Sequence, residues 1–361
     1  MDPRSPRGGH RAGVEKKSDG REGTSGHRGP RLDGLHFMIP AAIVGLGRWG
    51  RSFVTAMQGN SQRLRFVRAV DVAMDTARDF AARHDLALGR DYADALADAE
   101  VGAIVLATPH SLHPDQVIAA ARAGKPVFCE KPLALKASDA ARMIDACRRA
   151  DVVLGVGHNR RWWPAMQALK RTVETGGIGK LLHIEAHNSN ENSNEVLGGW
   201  RTDPAESPGG GMTGAGLHAL DALISVAGSI RWVHSLLSER KPPPAPLDTA
   251  SALLEFADGT SGLLATVRAT PFFWRVHAFG SEGSAEVLGE TELILRKSGE
   301  APRRVLLDPV DSLRAELEAF ADAIDGRAAF PISQAQMLQT VIAFEAVTRS
   351  LETRKAISLR E

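Results

Sequence analysis

One stretch limits what this chain can fold into more than any other. An apolar run over residues 41–44 enters Gly45-Leu46-Gly47-Arg48-Trp49-Gly50, and residues 48–58 continue with helical spacing. In a strand–turn–helix unit the glycines of a G-x-G-x-x-G motif have separate tasks. Gly45 permits a tight turn, Gly47 lets a pyrophosphate approach the backbone, and Gly50 allows helix and strand to pack closely. The unpaired amides at the helix start, with the helix dipole behind them, favour an anion. Alone the motif is weak, because glycine-rich turns are common. Here a second apolar strand over residues 64–70 ends at Asp71, which lies 21 residues past Gly50. An acid at about 20 residues is the expected partner of a ribose hydroxyl. Together these features predict a dinucleotide site, with NAD as the cofactor and NADP possible. A strand-end cap is the other reading of Asp71.

The same half continues as strands and helices in alternation. Helical spacing covers residues 76–84, 113–123 and 138–150, and apolar runs cover 103–107, 126–129 and 152–156. Runs without polar alternation are buried on both faces, which predicts a parallel sheet covered by helices. Beyond residue 159 the pattern changes. Residues 181–187 alternate as a half-buried strand, residues 252–256 and 263–268 flank Asp258-Gly259, and residues 274–279 and 285–288 suggest a further hairpin. Pro242, Pro243, Pro244 and Pro246 mark a loop, and residues 313–324 and 334–351 read as amphipathic helices. The expected fold class is α/β. An N-terminal Rossmann doubly wound parallel sheet is followed by a second part built on a mainly antiparallel sheet. The expected boundaries are a tail at 1–37, a dinucleotide-binding domain at 38–158, and a second domain at 159–361, whose last helices can pack back on the first.

Composition excludes several classes. The 361 residues suffice for two ordinary domains, and a net charge of +1 provides no field for nucleic acid or an anionic membrane. Cys129 and Cys147 cannot make a disulfide framework, and no Cys/His spacing suggests zinc, so no metal is expected. No apolar run approaches the roughly 20 residues of a membrane span. Residues 1–34 are rich in Gly, Arg, Lys and Ser, with almost no large apolar residue before Leu32. They read as a disordered tail without the apolar stretch of a signal peptide, and Met38 would serve as a start. A basic arm is the alternative reading. The expected location is cytoplasmic.

Glu130-Lys131-Pro132 directly follows the short strand at 126–129. With Thr108-Pro109, His113, Gly124-Lys125 and the glycine loop, it resembles the Gfo/Idh/MocA family of glucose–fructose oxidoreductases and inositol dehydrogenases. The resemblance runs from about Met38 to the C-terminus. It takes in Gly157-His158-Asn159-Arg160-Arg161, residues 176–184, and the stretch from Gly209-Gly210-Gly211 to Asp221. It implies an NAD(P)-dependent dehydrogenase or reductase acting on a CH–OH group of a sugar, cyclic polyol or related small molecule. It also implies that residues 159–361 form a C-terminal α/β domain for substrate binding and oligomerisation, with a large, mainly antiparallel open sheet, and a homodimer or homotetramer joined through that sheet. Cofactor contacts would come from Gly45, Leu46, Gly47, Arg48, Trp49, Gly50, Asp71, Thr108, Pro109, His113, Glu130 and Lys131.

Lys131 would emerge at the end of a parallel strand, where such sheets bind ligands. Partly desolvated beside a positive nicotinamide ring, its amine would have a lowered pKa and could exchange a proton with a hydroxyl. His218 is the second catalytic candidate. In family members that oxidise polyols a His in this helix works with an Asp four residues earlier; here that position is Gly214, and Asp221 lies on a different side of the turn. Candidate substrate contacts are Arg160, Arg161, Trp163, Asn188, Trp200 and His218. Arginines after the last Rossmann strand suit a carboxylate or several hydroxyls, and Trp faces suit sugar rings. Asn188, Asn190, Asn192 and Asn194 lie in a polar run that reads as a loop. Cys129 reads as a buried strand residue. The competing functions are a nucleotide-binding protein with little turnover, a dihydrodiol dehydrogenase, and a glycosidase that uses NAD transiently.

Overall fold

The computed structural model describes residues 38–190, 199–238, 249–268 and 270–359. The tail at 1–37, Asn192, Asn194 and the proline-marked loop at 242–246 lie outside the described residues.

The first apolar run forms β1 (Ile39–Val44) and the glycine turn opens α1 (Arg48–Met57). There follow β2 (Leu64–Val70), α2 (Met74–Arg83), β3 (Ala87–Gly89), α3 (Tyr92–Ala97), β4 (Ala103–Leu106), α4 (His113–Arg122), β5 (Val127–Glu130), α5 (Ala137–Arg149) and β6 (Leu154–Gly157). These strands make a parallel six-stranded sheet in the order β3-β2-β1-β4-β5-β6. Every residue of β4, β5 and β6 is buried, as their unbroken apolar runs require. The strand order reverses between β1 and β4, and ligands bind such sheets at that crevice. β3 and α3 are additions to the expected pattern; at three and six residues they are too short to show a period.

The second half contains α6 (Pro164–Glu174), β7 (Leu181–Asn190), α7 (Leu217–Ala227), β8 (Ile230–Ser238), β9 (Thr249–Phe256), β10 (Ser261–Arg268), β11 (Phe273–Gly280), β12 (Gly283–Leu288), β13 (Glu292–Lys297), β14 (Arg303–Leu306), α8 (Ser312–Ile324), α9 (Gln334–Thr353) and β15 (Ile357–Ser358). Its nine-stranded sheet runs β14-β13-β12-β11-β7-β10-β9-β8-β15. All neighbours are antiparallel except β7 and β10, so the sheet is mixed but mostly antiparallel. At the β9–β10 hairpin Gly259 has φ +89°, the left-handed conformation that the Asp-Gly pair was expected to supply.

One face of this sheet is covered. Ile184, Phe256, Leu264, Trp274 and Val276 pack in one core with Leu217, Leu220 and Leu223 of α7. Residues 217–224 of α7 are all buried, which is why its sequence is apolar all round and shows little helical stripe. The other face is open: Leu236, Leu253 and Phe273 are exposed there, around a charge cluster of Glu185, Arg275, Glu286 and Arg296. Helix α9 serves both halves. Its Met337 and Val341 join the core of the six-stranded sheet, while Ala343, Phe344 and Val347 join the core of the other.

Candidate active site

The glycine turn lies at the β1–β4 crevice. Gly45 has φ +91°, and a Cβ on it would come 2.7 Å from the Ala107 carbonyl oxygen. A Cβ on Gly50 would lie 1.8 Å from the Gly45 carbonyl oxygen, so only glycine lets α1 approach its own turn. Around Gly47 a Cβ would meet nothing within 4 Å, which leaves open space where a phosphate would approach. Gly47 starts α1 with no side-chain cap and no acid in the first turn, so the helix amides keep their pull on an anion. Asp71 stands at the end of β2, and its carboxylate accepts the Leu46 amide at 2.6 Å and the Ala73 amide at 2.7 Å. The structure thus brings together the turn and the acid. These residues fit a dinucleotide: an open phosphate cradle beside a carboxylate for the ribose.

Thr108 and Pro109 follow β4, and the Thr108 hydroxyl donates to Gln116 at 2.6 Å. His113 is a correction to the expected cofactor contacts. It is fully buried, with Nδ1 2.9 Å from the Pro132 oxygen and Nε2 3.1 Å from the Thr108 oxygen. Burial pulls its pKa down, against the two carbonyls that favour the charged ring. It ties the loop after β4 to the loop after β5 and acts on the site only through them.

Lys131 emerges from the end of β5, in a cis peptide with Pro132, and is only 8% exposed. Its Nζ donates to the Gly214 carbonyl at 2.9 Å. Burial pushes its pKa down; Glu130 opposes this, and Arg160 and Arg201 add to it. Burial raises the Glu130 pKa, against the pull of Lys131 and Arg201, and its Oε2 has no hydrogen-bond partner among the described residues. His218 lies in the first turn of α7, 6% exposed, with Nδ1 unpartnered among the described residues. Burial, then Lys131, Arg160 and His158, hold its pKa well below the usual histidine value, so the ring is neutral. Directly before α7, Met212–Gly216 form a π-helical turn, a distortion common at functional sites. Gly214 sits in that turn. A Cβ there would meet nothing within 4 Å, so the missing side chain leaves space, and the backbone carbonyl has taken up Lys131 instead.

Three expected substrate contacts are corrected. Arg161 forms a bidentate pair with Asp221, Nε to Oδ2 at 2.8 Å and Nη2 to Oδ1 at 2.7 Å, and its Nη1 donates to Gln336 at 3.1 Å. It fastens the turn after β6 to α7 and α9 and has little left for a ligand. Burial would raise the Asp221 pKa, but Arg161 and then His158 outweigh it and hold the carboxyl below its ordinary range. Trp163 is buried edge-on against Trp274, with ring centroids 5.3 Å apart, and fills the core rather than facing a sugar ring. Asn188 is on a strand and not in a loop. β7 runs on past residue 187 because Asn188 pairs with Trp274 on one side and Thr266 on the other. Its side chain is fully buried and donates to the Ala215 oxygen at 2.7 Å, tying the sheet to the π turn.

Arg160 and Trp200 remain at the site. The Arg160 guanidinium carbon lies 4.3 Å from the Trp274 ring and 4.9 Å from the Trp163 ring. Trp200 meets the His110 ring edge-on at 4.8 Å, and Arg201 lies over Trp200 at 4.1 Å. Glu206, which the sequence reading passed over, accepts the Ser111 amide and hydroxyl and so closes this segment over the turn after β4. No local pattern marks Glu206, Thr266 or Trp274; only strand register and loop closure bring them here. Cys129 is buried, and burial pushes its thiol pKa well up, as expected of an inert strand residue. Among the described residues no group of His, Cys, Asp and Glu could hold a metal, and no helix is long and apolar enough to cross a membrane.

A doubly wound sheet with a phosphate-ready glycine turn, and a desolvated lysine at the end of β5, defines a nicotinamide-dependent oxidoreductase. Residues 39–158 match the oxidoreductase family with an NAD-binding Rossmann fold, GFO/IDH/MocA, and residues 166–286 match the C-terminal domain of the same family. The chain belongs to the GFO/IDH/MocA oxidoreductases. It is 28% identical over 345 residues to a myo-inositol 2-dehydrogenase of Thermotoga maritima, covering 88% of this chain and 98% of that one. It is 29% identical over 252 residues to a 1,5-anhydro-D-fructose reductase of Ensifer adhaerens, covering 63% and 71%. Among solved structures, an oxidoreductase of Desulfitobacterium hafniense described as NADPH-dependent superposes with a TM-score of 0.82 at 26% identity, over 90% of this chain and 98% of that one. A levoglucosan dehydrogenase in complex with NADH and L-sorbose shares the fold, with a TM-score of 0.80 at 22% identity over 90% and 99%.

Proposed function

We propose that this chain transfers hydride between NAD and a hydroxyl-bearing carbon of a sugar, cyclic polyol or related compound. The observation that carries the reading is Lys131: a buried amine at the end of β5 with a lowered pKa, held by the Gly214 carbonyl and close enough to His218 to lower the pKa of that ring. When bound, the nicotinamide supplies the hydride acceptor. The glycine turn and the α1 amides hold the pyrophosphate, and Asp71 receives a ribose hydroxyl. Lys131 takes the hydroxyl proton at Nζ, and His218 hydrogen-bonds the same oxygen and orients it. Segment 199–207, tied through Glu206 to Ser111, would close over the bound substrate. Gly214 does not argue against turnover, because its carbonyl still positions the amine. The enzyme acts in the cytoplasm as a homodimer or larger homo-oligomer, the exposed Leu236, Leu253 and Phe273 of the open sheet face being covered by a second copy; sedimentation at the monomer mass would contradict this.

The test is a spectrophotometric panel of polyols, sugars and sugar acids with each nucleotide, followed by Lys131→Ala on the best substrate. We expect kcat to fall by roughly 10²–10⁴-fold, the effect of losing a general acid–base group, with NADH affinity little changed. Near-normal turnover in Lys131→Ala would assign the proton to another group.

A further inference from the structure

Among the described residues that act on Lys131 electrostatically, Arg160 and Arg201 are opposed by Glu130. Asp221 is neutralised by its bidentate pair with Arg161. Glu290, the acid that attracts Arg160, is solvent-exposed. Arg160 is the clearest sign of something missing. Its guanidinium is held against the rings of Trp274, Trp163 and Phe272, and its Nη1 is buried with no acceptor among the described residues. A buried guanidinium N–H without an acceptor is costly, and a ligand oxygen would offset that cost. The wall from Arg160 to Lys131 is continuous: Arg160 rests on Trp274, Trp274 pairs with Asn188, Asn188 bonds Ala215, and the neighbouring Gly214 carbonyl holds Lys131. Beside it the side-chain position of Gly214 is open space.

We infer that the substrate is itself an anion, a hydroxy acid or sugar acid whose carboxylate binds the edge of Arg160 while its hydroxyl faces Lys131. This rests on the hydroxyl-oxidising reading above. A stacked guanidinium presents a planar edge that matches two coplanar oxygens.

The experiment uses the full chain loaded with NADH and matched pairs that differ in the carboxylate: D-gluconate against D-glucitol, and D-glucuronate against D-glucose. Calorimetric titration reads binding, and NAD reduction reads turnover. In the wild type at least one acid binds about tenfold or more tighter than its neutral partner. Arg160→Gln weakens that acid by about 10- to 100-fold, the effect of a lost charge-assisted hydrogen bond, and weakens the neutral partner far less. Gly214→Asp, which places a carboxylate in the open space, also weakens the acid but not the neutral partner. Equal binding within both pairs, preference for the neutral partners, or no binding of either overturns the inference. So does an Arg160→Gln effect of the same size on acid and neutral partner. If Arg160→Gln does not fold, unchanged acid binding in Gly214→Asp overturns it. Oxidation of neutral partners without acid preference removes only the anionic substrate and leaves the hydroxyl chemistry standing. Tight acid binding without oxidation of any pair removes the hydroxyl chemistry instead.

Discussion

Between Val44 and Arg48 the geometry is made by backbone; between Gly209 and Asp221 it is made by side chains and carbonyls fixed from elsewhere. At the glycine turn the geometry is set within six residues, by the φ of Gly45 and the contact of Gly50 with the Gly45 carbonyl. At the π turn it is set by partners far apart in sequence: Lys131 donates to Gly214 across 83 residues and Arg161 pairs with Asp221 across 60. A nucleotide common to many enzymes can be held by a local motif. The proposed substrate wall is assembled from the turn after β6, from β11, β7, the π turn and the end of β5, and it changes with any of them. The first region should therefore fail by steric clash and the second by loss of buried charge balance.

Arg161→Met tests the second region and should have the largest effect on stability. It leaves Asp221 buried without its main partner, at a cost of about 3–5 kcal/mol at neutral pH. The sign of the pH dependence follows. In the wild type the Asp221 pKa is depressed, so its contribution is present above the unfolded carboxyl value of about 4 and is lost as pH falls through the lower folded value. In the variant burial dominates and the folded pKa lies above the unfolded one, so the deficit should shrink as pH falls toward 4. Chemical denaturation at pH 7.5 and 4.5 measures this; a deficit that is small or independent of pH would show that Arg161 does not carry the wall.

Gly50→Ala comes next. Its Cβ would press into a backbone oxygen that has no side chain to move aside, so overpacking of up to about 3 kcal/mol is expected, with displacement of the turn. NADH fluorescence titration should show affinity lost along with melting temperature. Retained affinity would mean the turn is adjustable and the contrast between the two regions is weaker than drawn here. Asp71→Ala should have the smallest effect. Removing a charged acceptor should weaken NADH by about tenfold or more, and NADPH less or not at all. Part of the loss would come from the Leu46 and Ala73 amides that Asp71 also holds. Unchanged NADH binding would make Asp71 a strand-end cap.

The same contrast explains what could be read from the chain. Residues 64–70 match β2 to the residue, and Gly45, Gly47, Gly50 and Asp71 gather as their spacing implied, because those signals are local. Lys131 was legible from its place after an apolar strand. Arg161, Trp163 and Asn188 were placed on the wrong side of the wall. Their residue types fit sugar recognition, but the partners that claim them, Asp221, Trp274 and Ala215, lie 60, 111 and 27 residues away. α7 is apolar on every side and offers no period to read. β7 hides its end because Asn188, Ser189 and Asn190 look like loop composition until β10 and β11 flank them.

Helix α9 has a consequence for the ancestry of such chains. Along a single helix it places Met337 and Val341 in one core and Phe344 and Val347 in the other, lends Gln336 to Arg161, and accepts the first amide of α5 on Glu345. Exchanging the nucleotide half for that of a relative would strand one face of this helix against a surface it has never met. Neither half can therefore be exchanged alone without repacking α9 along its length.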